Sequence, residues 1–575
     1  MRRTLLTAGL ILIGVLGVAA AALAAAAGET FDLQTFIDAQ VKAGRTKIVI
    51  PPGKYRVPGL RDGHLVLQYL SDVEISGAGV EMICTETNRA LALDHCHNVT
   101  ISGLAIDYDP LPFTQGRIVA LAPDKSWVDF EIIDGYPDTQ LAERIEIFDP
   151  ATRELRRETG GWNERIDSLG QRRYRAFKAA RYRFDPRQDT EQLGDILVTA
   201  NHSSAWAHGH AITLADCDGV KLADITLYAA EMFGFLESRC DGTTYLRCKI
   251  DRRPPETDLV SRVVPRLRSL NADAFHSVEA GRGPAIVGCT ARYQGDDCVN
   301  IHGVYHLVTG VSDNQLRLVA INHLTIAPGD PVEFLPVSGS RPADAVAVSV
   351  LPDAPLNDVE RQFIQGLRIH EGNRQAMLNG SSKCYRLTLD RPVELAMGSL
   401  VCSSNSVGNG FAVRDCDFGH NRSRGILIKA SRGEVTGNTI TAGWMAAVLV
   451  SPEFWWFESA SSSDLRIERN RIVGCRRGAI EVVAPGGNGA PLAAGAHRDI
   501  RISDNAFVDC VWPNIRVTST DNLVIQGNQL TPTDPSQFTP PLTDRWNWGG
   551  GKPTPLIVEQ CGKVDAQRVG DGAGM

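Results

Sequence analysis

The sequence predicts an all-β fold: a right-handed parallel β-helix with two inserted small antiparallel β-barrel modules. Three observations lead there. A short segment type recurs along the chain, its recurrence has a period near 22 residues, and two intervals between copies are far too long to be loops.

The recurring segment is a polar turn, an alternation of apolar positions, then a small polar residue or cysteine. Examples are Asp72-Val73-Glu74-Ile75-Ser76-Gly77, His97-Asn98-Val99-Thr100-Ile101-Ser102-Gly103, Asp499-Ile500-Arg501-Ile502-Ser503-Asp504-Asn505 and Asn522-Leu523-Val524-Ile525-Gln526-Gly527-Asn528. Alternation with period two over so few residues specifies strands, and its recurrence specifies a repeat architecture. The residue three after the central apolar one falls at Ile225, Cys248, Cys289, Cys416, Asn438, Asn470, Asn505 and Asn528. The shortest intervals, Ile225 to Cys248, Cys416 to Asn438 and Asn505 to Asn528, are 23, 22 and 23 residues. That is one turn of three short strands, each turn stacking on the next at about 4.8 Å. Asparagine at equivalent turns predicts amide ladders along the axis. Cysteine there reads as a buried packing thiol rather than a disulfide framework, although the count of 13 is odd and one or two bridges stay open.

Taken in order, residues 1–27 read as an export signal. Arg2 and Arg3 precede an apolar run from Leu5 to about Ala26 that ends in small residues. The competing reading, a retained anchor, lacks a basic stop-transfer cluster behind the run. The expectation is therefore a secreted or periplasmic protein with no stable membrane insertion once the signal is removed. Residues 28–113 form the first part of the β-helix, and 114–200 the first inserted module, with strand patterns at 117–121 and 128–133. Residues 201–303 return to the β-helix. Residues 304–405 form the second module, with patterns at 316–319 and 385–389. Residues 406–530 complete the β-helix, and 531–575, rich in Pro, Gly and Trp, read as an end cap or tail. Structureless loops as long as the two intervals are rare in compact domains, which is why both read as modules.

The formal charge is −8, so a polyanion is a poor partner and nucleic acid is excluded as the main one. Function is concentrated in Asn271-Ala272-Asp273 and Gly295-Asp296-Asp297-Cys298. Writing Asp273-Ala274-Phe275-His276-Ser277-Val278 above Asp297-Cys298-Val299-Asn300-Ile301-His302 and Arg424-Gly425-Ile426-Leu427-Ile428-Lys429 superposes Phe275, Val299 and Ile426. Asp273, Asp297 and Arg424 then share one position on consecutive rungs. Crowded carboxylates split their pKa values, leaving one proton donor among bases, the division of labour that glycoside hydrolysis needs. A plain surface ladder of aspartates and a Ca²⁺ site are the bland alternatives; no dedicated cation loop supports the second. His276, Asn300, His302, Arg424 and Lys429 are candidates for the same groove. Glu453, Trp455 and Trp456 follow a strand one rung further, where an aromatic platform could meet a sugar face. Trp206-Ala207-His208-Gly209-His210 offers two histidines without further ligands, so no metal is expected there.

These elements resemble the NTD, DDC and R-I-K motifs of polygalacturonase-type hydrolases, and more closely the exo-acting α-1,3-galactosidases of glycoside hydrolase family 110. The wider matching text is Asp107-Tyr108-Asp109-Pro110-Leu111-Pro112-Phe113-Thr114-Gln115-Gly116, Met232-Phe233-Gly234-Phe235, the run from Gly295 to His306, and Ser423-Arg424-Gly425-Ile426-Leu427. The resemblance implies a β-helix with two small barrels, and release of terminal α-1,3-linked galactose from a galactose-terminated glycan, with inversion and no cofactor. It implies Asp296 as general acid, with Asp273 and Asp297 as bases. A homodimer is among the assemblies this reading allows. The Gly-His-Gly of polygalacturonases is replaced by Ile301-His302-Gly303, which weakens a uronic-acid specificity. A β-helix glycosidase acting on galacturonan or sulfated galactan, and a non-catalytic glycan-binding β-helix, stand as alternatives.

Overall fold

The computed structural model describes residues 31–138, 141–156, 165–179, 189–201, 209–260, 262–380, 382–475, 478–530 and 554–566. The expected export signal, His208, and the tail apart from 554–566 lie outside the described residues. Among the described residues no helix is long and apolar enough to cross a membrane. The chain divides into two compact units. The first comprises Met1–Leu236, Thr244–Ala274 and Cys289–Gly295, and the second Glu237–Thr243, Phe275–Gly288 and Asp296–Met575.

In the first unit a helix, Leu33–Lys42, is started by Asp32, whose carboxylate accepts from the Thr35 N–H at 3.0 Å. Its Gln34 side chain donates to the Val66 carbonyl at 3.0 Å and accepts from the Val66 N–H at 2.7 Å. The helix thereby satisfies backbone groups of the first strand of one sheet, which would otherwise be an open edge. Behind it the rungs are parallel. Ile75 pairs with Ile101, Ile101 with Leu222, and Leu222 with Tyr245, while Leu65 pairs with Leu91 and Leu91 with Ile212. The last pair brings adjacent rungs together across the whole first insertion. That insertion is a six-stranded antiparallel sheet in the spatial order Arg165–Gly170, Arg173–Phe177, Trp127–Ile132, Phe113–Leu121, Ile196–Asn201, Leu141–Phe148. Among the described residues no ladder joins its two end strands, Arg165–Gly170 and Leu141–Phe148. Closure requires a definite stagger between the end strands, which alternation within a strand does not encode.

In the second unit one ladder runs through Phe275, Val299, Ile426, Val448, Ile480, Ile515 and Leu556. This is the register read from the alternation. Val299 and Ile426 pair directly although the second insertion intervenes. That insertion is a closed six-stranded antiparallel barrel: His306–Ser312, Gln315–Ala320, Lys383–Leu389, Ala345–Pro352, Pro331–Leu335 and Leu400–Ser403. It also carries two helices, Asp358–Gly366, opened by an Asn357–Glu360 capping box, and Glu371–Leu378.

The asparagine anchors Asn438, Asn470, Asn505 and Asn528 form a continuous device in this unit. The Asn470 side-chain oxygen accepts from both the backbone N–H and the side-chain amide of Asn438, each at 3.0 Å. Asn505 serves Asn470 in the same way, and Asn528 serves Asn505. The residue before each anchor is left-handed, at Asp224, Arg247, Gly288, Asp415, Gly437, Arg469, Asp504 and Gly527. That conformation disfavours side chains with Cβ; the amide ladder offsets its cost at Arg469 and Asp504. All thirteen cysteines are outside any disulfide, and twelve are buried. The thiol of Cys416, for example, points at the carbonyl of Ile286 at 3.5 Å.

Candidate active site

Asp297 begins the strand position that Arg424 occupies on the rung after it. The Arg424 backbone N–H donates to Oδ1 of Asp297 at 2.8 Å, Nε reaches both oxygens at 3.0 and 3.1 Å, and Nη2 donates to Oδ2 at 2.6 Å. Asp297 is 1% exposed. Burial pushes its carboxyl up, the Arg424 charge pulls it down, and repulsion from Asp296 pushes it up again. Burial is the largest of these and leaves the carboxyl above its ordinary value, while the N–H groups of Arg424 on both oxygens favour the ionised form. Asp296 is less enclosed. Its Oδ2 lies 3.2 Å from Arg422 Nη2, and its carbonyl accepts from the Asn421 amide at 2.8 Å. Asn421 also donates to the Arg424 carbonyl at 2.7 Å, fixing the turn that presents both arginines. Sequence reasoning passed over Arg422; its signal was the alternation Asn421-Arg422-Ser423-Arg424 before an apolar strand.

Arg424 Nη1 continues to Glu453 at 3.6 Å, and Glu453 opens a hairpin closed by Glu458 through reciprocal backbone bonds of 3.1 and 3.2 Å. The hairpin docks antiparallel on the strand end, Gly303 against Ser459 and Val304 against Glu458. Gly303 permits this approach, because a Cβ there would lie 2.5 Å from the Ser406 carbonyl and 2.7 Å from Ser459 Oγ. At its tip Trp455 and Trp456 are 44% and 42% exposed, and the Trp456 ring lies on His370 with centroids 4.3 Å apart.

Three residues expected to meet sugar are turned inward. Lys429 is fully buried, and its ammonium pairs with Glu458 at 2.7 Å, Glu453 at 3.0 Å and Asn300 Oδ1 at 3.1 Å. Asn300 also donates to Glu458 at 3.2 Å. His302 is buried, which lowers its pKa to about 4. Their polar atoms are engaged by protein partners, as a buried cation requires. Arg424 is likewise assigned to Asp297 and Glu453. Burial raises the Glu458 carboxyl, but His302, Lys429 and His276 outweigh it and hold it well below its ordinary value. His276 is half-buried and lies on the outward face of its strand.

Asp273 belongs to the first unit. It is buried, and its carbonyl accepts from the Gly234 N–H at 2.8 Å. Asn271, two residues earlier, donates to the Pro112 carbonyl at 2.9 Å and accepts from Arg268 at 3.0 Å, while Arg268 pairs with Glu146 at 3.0 Å. The Asp107–Gly116 stretch braces the same turn. Asp107 takes Arg266 on both oxygens at 2.8 and 2.9 Å, and Gln115 accepts from the Leu267 N–H at 2.7 Å. Glu231 escaped the sequence reading. It is 4% exposed, and burial raises its carboxyl to about 7. Its only sequence signal was its place immediately before Met232-Phe233-Gly234-Phe235. His210 stacks on Phe233 with centroids 4.8 Å apart.

A family model described as "Right handed beta helix region" matches residues 364–534. The chain is 22% identical over 506 residues to alpha-1,3-galactosidase B of Bacteroides thetaiotaomicron, covering 81% of this chain and 74% of that one. It is 22% identical over 510 residues to alpha-1,3-galactosidase A of Bacteroides fragilis, covering 84% and 77%. Among solved structures, the catalytic domain of a GH87 alpha-1,3-glucanase with nigerose superposes with a TM-score of 0.40 at 7% identity, covering 93% and 67%. A mannuronan C-5 epimerase A-module of Azotobacter vinelandii gives 0.38 at 9% identity, covering 93% and 94%.

Proposed function

We propose that this chain is an exo-acting α-1,3-galactosidase that hydrolyses terminal α-1,3-linked galactose with inversion. The observation that carries the reading is the pair Asp296–Asp297 with its two arginines, in a chain 22% identical to relatives named alpha-1,3-galactosidase. Asp297, paired with Arg424, is the base. Asp296, beside the Asp297 carboxylate and 3.2 Å from Arg422 Nη2, is the group assigned to carry a proton to the glycosidic oxygen. Asp273 stands two residues before Phe275 as Asp297 stands two before Val299, and Phe275 and Val299 are ladder partners. That shared position supports Asp273 as the second base orienting water. This acid–base route calls on no cofactor.

A neutral sugar suits the site better than a uronate or a sulfated galactan. Arg422, Arg424 and Lys429 each face a carboxylate of the protein itself, which leaves those charges committed. The apolar run after Arg3 supports export, hence a secreted or periplasmic place of action.

The test is incubation with an α-1,3-linked digalactoside, following the anomeric protons of the first product by NMR. Free β-galactose appearing before mutarotation is the expected result. Release of α-galactose first would overturn inversion, and no release from any α-galactoside would overturn the function.

A further inference from the structure

The hairpin from Glu453 to Glu458 turns two aromatic rings in and two out. Phe457 is buried in the core cluster that contains Ile364 and Met377 from the two helices of the barrel, and Phe454 packs against the same cluster. The fit is close, since a Cβ on Gly487 would lie 2.8 Å from the Phe454 ring. Trp455 and Trp456, between the two phenylalanines, are both exposed. Burial of the phenylalanines anchors the tip, which leaves the indoles for another task.

The backbone of the tip is fixed as well. The His370 N–H donates to the Trp455 carbonyl at 3.0 Å, and the Asn373 amide donates to the Trp456 carbonyl at 2.9 Å. His370 lies against the Trp456 ring, with centroids 4.3 Å apart and planes 32° from parallel. An indole backed in this way and still 42% exposed turns its remaining surface to solvent. Large rings kept in place and uncovered mark a surface where another molecule sits.

The base of the hairpin indicates which molecule. Glu453 lies 3.0 Å from Lys429 and 3.6 Å from Arg424, whose guanidinium holds Asp297. Trp455 follows Glu453 by two residues, a backbone reach of at most about 7 Å. The indoles thus stand at the outer rim of the site that holds Asp297. An exo-acting enzyme encloses the terminal sugar at its acids, so the rim meets the residue beyond the scissile bond. Pyranose rings present a face of C–H groups, which the negative face of an aromatic ring attracts.

We infer that Trp455 and Trp456 form a platform for the sugar to which the terminal galactose is linked, stacking on that leaving-group residue and favouring glycans over simple galactosides. The identity of the sugar rests on the galactosidase reading; the braced, exposed platform does not.

The experiment compares steady-state kinetics on an α-1,3-digalactoside, whose leaving group is a sugar, with α-galactosyl fluoride, whose leaving group is fluoride. In Trp455→Ala and Trp456→Ala the ratio of kcat/KM on the digalactoside to that on the fluoride should fall at least roughly tenfold, mainly through KM, the scale of a lost aromatic anchor at a binding face. Trp455→Phe and Trp456→Phe, which keep a ring, should recover most of the ratio. A ratio unchanged in both alanine variants overturns the inference, because a merely structural role lowers both substrates together. Binding is read separately from the indole ¹⁵N–¹H signals of Asp296→Asn protein, assigned by their loss in the phenylalanine variants. Adding the digalactoside should shift both signals, and no shift overturns the platform even if an alanine variant fails to fold. A wild type that cleaves neither substrate removes the galactosidase reading, and the indole signals then decide the platform alone.

Discussion

Arg424 meets the Asp297 carboxylate with its backbone N–H and two guanidinium nitrogens at once, at 2.6 to 3.1 Å. One residue thus neutralises the carboxylate, aims it and ties two rungs together. Lysine offers a point charge in place of the planar fork. Arg424→Lys is expected to lower kcat/KM at least about tenfold, while far-ultraviolet circular dichroism stays that of the wild type. Unchanged kinetics would show that the fork is dispensable.

Asp296→Asn and Asp297→Asn should separate chemistry from stability. Each removes a proton-transfer group worth about 10²- to 10⁴-fold, so both should lose kcat to that extent. Only Asp297→Asn takes the closest counter-charge from a largely enclosed guanidinium, which keeps Glu453 at 3.6 Å, a loss of up to roughly 3 kcal/mol. Its melting temperature should therefore fall clearly below that of Asp296→Asn. Equal melting temperatures would contradict the burial assigned to the Asp297–Arg424 pair.

The asparagine ladder should contribute stability without contributing to turnover. Asn470→Ala removes the acceptor of the Asn438 N–H and the donor to the Val435 carbonyl. Each buried group left unpaired costs about 1–3 kcal/mol. Thermal melts should show a drop of several degrees with kcat unchanged.

Acid should destabilise the fold through buried neutral histidines. Burial lowers His302 and His497 to about 4 and His306 to about 3, against about 6.5 in an unfolded chain. Between those values the unfolded chain binds protons that the folded one refuses, so stability present above pH 6.5 is lost as pH falls towards 4. His497 illustrates the cause: its Nδ1 accepts from the Ser462 N–H at 2.9 Å, and its Nε2 lies 3.0 Å from the Val483 carbonyl. Denaturant midpoints measured from pH 7.5 to 4 should fall steadily; a flat profile would contradict the burial.

Glu231 acts in the opposite sense. Its carboxyl is raised to about 7, so the unfolded chain releases its proton first, and stability falls as pH rises from about 4.5 to 7. Glu231→Gln should leave stability unchanged at pH 4 and raise it by on the order of 3 kcal/mol at pH 8. A variant destabilised equally at both values would assign Glu231 an ionised structural role.

The ladder pairs of Phe275, Val299 and Ile426, and the anchors from Ile225 to Asn528, were legible because a β-helix repeats its instruction at every rung. Alternation gives the face, the period gives the stacking, and the two together carried Asp297 to the position of Arg424. Lys429 was misread for the same reason. The register correctly placed it on the outward face, but the Glu453–Glu458 hairpin covers that face. A hairpin of six residues has no periodic signature, and its docking depends on the bare approach that Gly303 allows. Arg422 and Glu231 were missed because their importance comes from one partner or from burial alone.

The amino-acid sequence alone determined the rung period and the strand register, because these depend on local alternation and on residues repeated at fixed spacing. Tertiary structure decided which charges are available. It buried Lys429 between two glutamates, set Arg424 against Asp297, kept His302 neutral beside His276, and closed the second insertion into a barrel. Those outcomes depend on desolvation and on contacts between segments distant in the chain, and both arise only when the rungs are stacked and the hairpin is laid across them.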